Sequence, residues 1–399
     1  MYDFDKVITF VNDEDVKFIR LAFCDVFGRQ KNISIMPNEL YRAFTDGISF
    51  DASAVEGFNA QVTSDLFLHP DPSTLSVLPW RPATGRVVRM FCDIRYPDGR
   101  QFEKDGRYIL KQAVAAAKSK GISCNFGAEF EFYLFKTDET GEPTDIPFDY
   151  AGYMDIAPDD KGENVRREIC LTLSEMNIKP ERSHHEEGPG QNEIDFRYSD
   201  ALTAADNATT FKMVVKTIAM RNGLYANFSP KPLTGKSGNG MHINISVTSE
   251  DKTDHTDSFI AGILEHIREM TVFLNPCENS YERLGGNKAP KYITWSEQNR
   301  SQLIRIPAAK GEYRRIELRS PDPMTNPYIA YSILIYAGLD GITRCLKTEA
   351  PTNINLFTAD KSITDKLACL PVSLGEAIKE AKNSAFIASI LPDDFVDLY

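Results

Sequence analysis

Residues 125–135 read NFGAEFEFYLF, which sets Glu129 and Glu131 two positions apart among apolar neighbours. Successive side chains of a β-strand alternate between faces, so Glu129, Glu131 and Tyr133 point one way and Phe130, Phe132 and Leu134 the other. A sheet with one oily face and one acidic face needs a cation above the acid, because adjacent carboxylates repel unless one is protonated or a positive charge lies between them. Hard divalent ions such as Mg2+ or Mn2+ prefer such oxygen ligands. Taken alone, the stretch fits equally a solvent-facing strand with two ordinary surface glutamates.

The same two-faced pattern returns further along the chain. Residues 192–198 (NEIDFRY) set Glu193, Asp195 and Arg197 against Ile194 and Phe196, and residues 240–247 (GMHINISV) set His242, Asn244 and Ser246 against Met241, Ile243 and Ile245. Residues 301–306 (SQLIRI) carry Arg305, and residues 315–319 (RIELR) set Arg315, Glu317 and Arg319 against Ile316 and Leu318. One such strand could be solvated, but several imply a curved sheet with helices on its apolar back and a polar site on its inner face. Helical periodicity over 164–176, 201–222, 259–274 and 328–346 supplies those helices, the last opened by Asn326-Pro327 as cap and first-turn proline.

Before this region, residues 1–96 alternate short apolar runs (16–23, 31–35 and 86–94) with turns and read as a small β-rich domain. Residues 47–58 and 63–72, rich in small residues, prolines and acids, read as ordered loops. Asp105 is the expected N-cap of a helix over 106–119, and the domain boundary falls near residue 100, giving units 1–100 and 101–399.

A net charge of −12 without a long basic run argues against general binding of nucleic acid or of acidic membranes. The seven cysteines are scattered and free of CxxC spacing, which fits a reducing compartment and predicts no structural zinc. The opening MYDFDKV lacks a signal peptide's apolar core and no apolar run is long enough to span a bilayer, so the expected location is the cytoplasm.

On the inner face the chain offers Glu129, Glu131, Glu186, Glu193, Glu317 and His242 as metal ligands, with Arg283, Arg300, Arg305, Arg315 and Arg319 as anion ligands. Carboxylates beside arginines suit a metal with a phosphate, and hence phosphoryl transfer onto a carboxylate. Gly235-Lys236-Ser237 resembles the end of a Walker loop, but Pro230 stands where its first glycine is required. His184-His185 lack nearby cysteine or further histidine, and the zinc reading is set aside.

The motifs GAEFEF (127–132), HHEEGPGQNEIDF (184–196), KPLTGKSGNGMHINIS (231–246), NRSQLIRIP (299–307) and RRIELRSPDPMTNPY (314–328) resemble, in this order, those of the glutamine synthetase family, bacterial type I class. The resemblance implies an α+β protein: an N-terminal β-grasp domain, then a catalytic domain with a curved antiparallel sheet backed by helices. It implies Mg2+ or Mn2+, two or three per site, and ATP as a substrate. Glu131, Glu186 and Glu193 would hold the metal near glutamate and ammonia, and Glu129, His242 and Glu317 the metal at the ATP phosphates. Arg283, Arg319, His242 and the Gly238 backbone would hold glutamate, while Arg300, Arg305, Arg315 and Ser246 would face ATP. Asp51, which reaches into the adjacent subunit and takes a proton from ammonium, would be catalytic with Arg300 and Arg319, and Tyr153 would line the ammonium pocket. The implied assembly is a homo-oligomeric ring, a hexamer or a double-ring dodecamer, with sites between neighbouring subunits.

Three departures stand out. The family's flap reads close to PGYEAP, whereas residues 285–290 read GGNKAP, with Lys288 in place of the flap glutamate. A lysine about 4 Å from ammonium costs on the order of 4 kcal/mol at an effective dielectric near 20, and a lysine on a glycine-rich loop is expected to swing into solvent instead. Phe357 falls in the stretch where some members carry an adenylylated tyrosine, and the chain ends at Tyr399 where relatives continue into a helical strap. The leading reading is ligation of ammonia to glutamate; an organic amine in place of ammonia, or a non-catalytic regulatory homologue, are the alternatives.

Overall fold

The computed structural model describes residues 3–58, 65–286, 288–308 and 315–399. The first sheet comprises β1 (Val16–Cys24), β2 (Gln30–Ile35), β3 (Ile48–Asp51), β4 (Asp65–Pro70), β5 (Ser76–Val77) and β6 (Arg86–Arg95). Its order is β2-β1-β6-β4-β3, with β5 also on β6; β1 and β6 run parallel and the other pairs antiparallel. Two expected loops are thus partly strand: Ile48–Asp51 pairs with Asp65–Pro70, because Ile48, Leu66 and Leu68 bury one face of each while the turn-forming residues cap their ends. Residues 59–64 lie outside the described set.

The second sheet holds β7 (Ile122–Thr137), β8 (Pro143–Pro147), β9 (Pro180–His185), β10 (Gln191–Phe196), β11 (Ser199–Asp200), β12 (Leu224–Asn227), β13 (Met241–Ser249), β14 (Trp295–Glu297), β15 (Ile304–Ile306) and β16 (Ile316–Leu318). The long central strand β7 pairs with β13 on one side and β10 on the other, in the order β14-β15-β16-β13-β7-β10-β9. The sheet is antiparallel, as expected, except at one edge, where β14 and β15 run parallel.

Helices cover the oily face. Phe130 stacks on Phe211 of the helix Ala201–Arg221 at 4.9 Å, and Phe126 on Tyr331 of the helix Pro327–Thr343 at 4.3 Å. Three of the helices begin where a side chain satisfies a first free N–H group. Asp105 accepts from Arg107 N, Asp200 from Thr203 N and Asn326 from Tyr328 N. Helices Thr256–Leu274 and Pro327–Thr343 cross closely because glycines line the contact: a Cβ on Gly262 would strike the Ala337 carbonyl and one on Gly341 that of Ser258. The helix read as 328–346 stops at Thr343. The helices Phe4–Asp13 and Leu374–Lys382 had no counterpart in the sequence reading.

Arg107 ties the two sheets together. Buried at the start of the helix Gly106–Ser119, it meets Asp71 at 3.0 Å and Asp93 at 3.2 Å from the first sheet, and Asp206 at 2.9 Å from the helix behind the second. No described helix is long and apolar enough to cross a membrane.

Candidate active site

Strand register, more than local spacing, builds the acidic face. Glu129 on β7 lies opposite His242 on β13 and Asp195 on β10, while Glu131, two residues on, lies opposite Glu193, which in turn faces His184 on β9. Glu317 on β16 lies opposite Asn244 on β13 and Arg305 on β15. Directly paired residues have Cβ atoms about 5 Å apart, so each pairing brings two side chains into reach.

Two groups result whose ligand atoms all lie within 4.8 Å of one another: Glu129, His242 and Glu317, and His184, Glu186 and Glu193. In the first, His242 Nδ1 is 3.3 Å from Glu129 and 3.8 Å from Glu317. In the second, His184 Nε2 is 3.1 Å from Glu186 and 4.0 Å from Glu193. Glu131 sits beside the second group; its Oε2 accepts from Gly240 N at 2.7 Å. His184, set aside as a zinc ligand, therefore stands among the carboxylates of the second group. Its neighbour His185 does not: its Nε2 lies 2.8 Å from Asp149 and its Nδ1 2.6 Å from the Glu186 carbonyl, which steadies the backbone carrying Glu186.

The carboxylates crowd one another in a buried setting. Burial, then Asp195, Glu131, Glu129 and Glu186, push the Glu193 carboxyl up to about 11. Burial and Glu129 push Asp195 to about 7, and burial, with Glu186 nearby, raises Glu131. Burial also works to raise Glu129, but His242, by hydrogen bond and charge, and Asn244 outweigh it and leave that carboxyl well below its ordinary value. Carboxylate oxygens with one imidazole per group are a donor set that fits Mg2+ or Mn2+.

Arginines border this face. Arg305 and Arg319 each lie 2.5 Å from a different oxygen of Glu317, and Arg315 donates to Asn244 Oδ1 at 2.8 Å. Ser246, Asn244, Arg315, Glu129, Asp195 and Arg182 line one cleft. Arg283 is buried and donates to the carbonyls of Ser320 at 2.7 Å and Arg319 at 3.4 Å. Gly238 and Gly240 let the loop lie against it, for a Cβ at either would come within 3.0 Å of the Arg283 side chain.

Other expected residues stand apart. Arg300 is exposed just before β15. Asp51 ends β3 in the first sheet, exposed, and accepts from Ser53 N and Oγ. Two residues were not singled out from sequence: Asp195, whose carboxylate joins Glu129 and Glu193 in a further potential metal group, and Arg182, 2.5 Å from Asp195 and 3.7 Å from Glu129. The alternation over 192–198 had placed Asp195 on this face; nothing local marked Arg182.

Lys288 is exposed, as expected of a lysine on this loop, and its charge is paired. Its Nζ lies 2.5 Å from Glu187 and 5.1 Å from the centre of the Tyr153 ring, whose edge meets His184 at 5.4 Å. The neighbouring flap residue Asn287 lies outside the described set.

Comparisons with known proteins show the family. Family models described as glutamine synthetase, β-grasp domain, and glutamine synthetase, catalytic domain, match residues 15–97 and 103–399. A glutamine synthetase of Methanosarcina mazei is 46% identical, covering 99% of this chain and 92% of that protein. One of Clostridium saccharobutylicum is 45% identical, covering 98% and 92%. Among solved structures, a GmaS/ADP complex is 28% identical with a TM-score of 0.89, covering 100% of this chain and 94% of that chain. A Plasmodium falciparum glutamine synthetase, 24% identical with a TM-score of 0.87 and the same coverage, shares the fold. With both domains matched and the acidic face assembled in register, the chain belongs to the glutamine synthetase family.

Proposed function

We infer that this chain makes glutamine, joining ammonia to the γ-carboxylate of L-glutamate while ATP gives ADP and phosphate. The observation that carries this reading is the adjacency, on one sheet face, of Glu129, His242 and Glu317 with His184, Glu186 and Glu193, bordered by arginines. Glutamine synthetases in general depend on ATP and a divalent metal.

The first group, at the Ser246 and Arg315 cleft, would hold a metal at the ATP phosphates, and the second, with Glu131, a metal nearer glutamate and ammonia. Bound Mg2+ or Mn2+, two or three per site, supplies charge neutralisation to phosphate oxygens and to charge developing on them. Arg305, Arg315 and the exposed Arg300 take the nucleotide and its phosphates. Arg319 and Arg283, with His242 and the Gly238 backbone, hold glutamate so that a γ-carboxylate oxygen faces the terminal phosphorus. That oxygen attacks phosphorus and ADP leaves, giving γ-glutamyl phosphate. Asp51 from a neighbouring subunit takes a proton from ammonium beside Tyr153, and ammonia attacks the acyl carbon. Phosphate then leaves with the original carboxylate oxygen, and takes up the proton that the attacking nitrogen loses as the amide forms. Arginine donors pre-aimed at the phosphoryl group cost no reorganisation during the step.

This reading includes a cytoplasmic protein with units 1–100 and 101–399, in a homo-oligomeric ring, hexameric or double, with sites between neighbours. The test is ATP-dependent phosphate release with glutamate across ammonia and simple amines. Release with ammonia is expected; release with an alkylamine alone would transfer the reading to an amine ligase.

A further inference from the structure

Strand β9 ends on two histidines that point apart. His184 faces the acidic side of the sheet, while His185, opposite Asn192 in the ladder, turns to the covered side and is fully buried. There its Nε2 donates to Asp149 Oδ1 at 2.8 Å and its Nδ1 to the Glu186 carbonyl at 2.6 Å. Neither oxygen can donate, so both ring nitrogens carry hydrogen, and the resulting cation meets the buried carboxylate of Asp149.

Asp149, Asp160 and His185 lie close enough to share an ion, but their atoms are already engaged. Asp149 also accepts from Gly190 N at 3.1 Å and Lys161 N at 3.0 Å. Asp160 is held by both terminal nitrogens of Arg166, at 3.1 and 2.5 Å, and by Gly162 N at 2.9 Å. The cluster is therefore a hydrogen-bonded support, and it joins two parts of the candidate site. One part is Glu186, whose peptide is bonded on both sides: its N–H to the Gln191 carbonyl at 2.8 Å and its carbonyl to His185. The other is the loop 149–162, which carries Tyr153. Asp149 opens that loop, Lys161 N returns to the same carboxylate, and Met154 N donates to the His185 carbonyl at 2.9 Å. From these two mounts the Glu186 carboxylate reaches His184 at 3.1 Å and the Tyr153 ring meets His184 at 5.4 Å.

We propose that Asp149 and His185 are positioning residues of this site, a buried pair that fixes Glu186 of the second ligand group and the loop bearing Tyr153 as one unit. Losing either member leaves a buried polar group unmatched where the two parts join, and Glu186 loses the bond to its carbonyl that sets its backbone. The first ligand group stands on β7, β13 and β16 and has no bond to the pair. This rests on the functional reading above and deepens it at the second group.

Metal binding tests it without turnover. Mn2+, followed by the resonance signal of the free ion, is titrated into metal-free wild type, His185→Gln and, to mark the first group, Glu317→Gln. His185→Gln cannot meet both partners of the ring at once, and is expected to weaken by about tenfold the class of site that Glu317→Gln spares, leaving the other class within about twofold. In the metal-free protein, hydrogen exchange at the Glu186 and Met154 amides is expected to quicken several-fold, with strand 241–249 unchanged. In steady-state kinetics the KM for ammonium is expected to rise about fivefold while that for ATP stays within about twofold, a split that a general loss of stability would not give. Asp149→Asn is expected to move the same readouts in the same direction by about threefold, and carries the test should His185→Gln fail to fold. Unchanged Mn2+ binding in the folded variant, or equal weakening of both classes, would overturn the proposal. Site classes that shift as expected, in a protein whose wild type releases no phosphate with ammonia, would remove the functional reading and leave the positioning role standing.

Discussion

Glu131 and Glu193 face each other directly across β7 and β10, two carboxylates in register inside a folded sheet. Such a pair is costly with both members ionised, and Glu193 is accordingly held protonated, its carboxyl pushed up to about 11 by burial and then by its acidic neighbours. An arrangement that is costly alone and relieved by a divalent cation marks a binding site more than a support of the fold.

Replacing Glu131 or Glu317 by Gln keeps the shape and removes one charge from the ligand set. Each variant is expected to fold, to bind Mg2+ or Mn2+ at least about tenfold more weakly, and to lose turnover almost completely. Circular dichroism and metal titration on the same preparations check this. Near-normal metal affinity and activity at saturating Mg2+ would take that residue out of the site.

Metal uptake is expected to release protons. Glu193 carries a proton at neutral pH and must lose it to ligate an ion, so binding weakens as pH falls, by about tenfold per pH unit for each proton displaced. Calorimetry of the metal-free protein with Mn2+, in buffers of differing ionisation enthalpy, reads that release. A buffer-independent heat would mean that the carboxylates are already ionised.

Arg107 pairs with Asp71, Asp93 and Asp206 at the junction of the two sheets. Arg107→Met leaves those carboxylates without their shared cation, and a loss of about 3–5 kcal/mol in unfolding free energy is expected. The pH sign follows from Asp71. Although burial works to raise its carboxyl, Ser73 and Arg107 bring it below its ordinary 3.8. Its stabilisation is therefore complete above pH 3.8 and lost as pH falls through the lower folded value. Denaturant titrations of wild type and variant should converge in acid; parallel curves down to the lowest pH would contradict the assignment.

Asp51 is expected to act in a neighbouring subunit. Mixing inactive Asp51→Ala subunits with inactive Glu317→Gln subunits should restore up to about a quarter of full activity through hybrid interfaces, if exchange is random. No recovery after verified subunit exchange would mean sites built within one chain.

The alternation of Glu129, Glu131 and Tyr133 against Phe130 and Phe132 was legible in sequence because strand period is local, and the same holds for the caps Asp105 and Asn326. Strands β3 and β4 were not, since their turn-forming neighbours dominate a local reading and only the partner strand reveals the ladder. Arg182 and His184 escaped for a related reason: their relation to the site is a cross-strand register through β9 and β10, which no spacing within either segment encodes. The partner of Lys288 was not legible either, since Glu187 is distant in sequence and brought near only by the fold.

The most direct test of the central claim uses glutamate labelled with heavy oxygen in its γ-carboxylate, together with ATP, Mg2+ and ammonia. If these residues activate glutamate as γ-glutamyl phosphate, the released phosphate must carry one labelled oxygen for every glutamine formed. Phosphate free of label, at a rate matching ATP loss, would contradict the account.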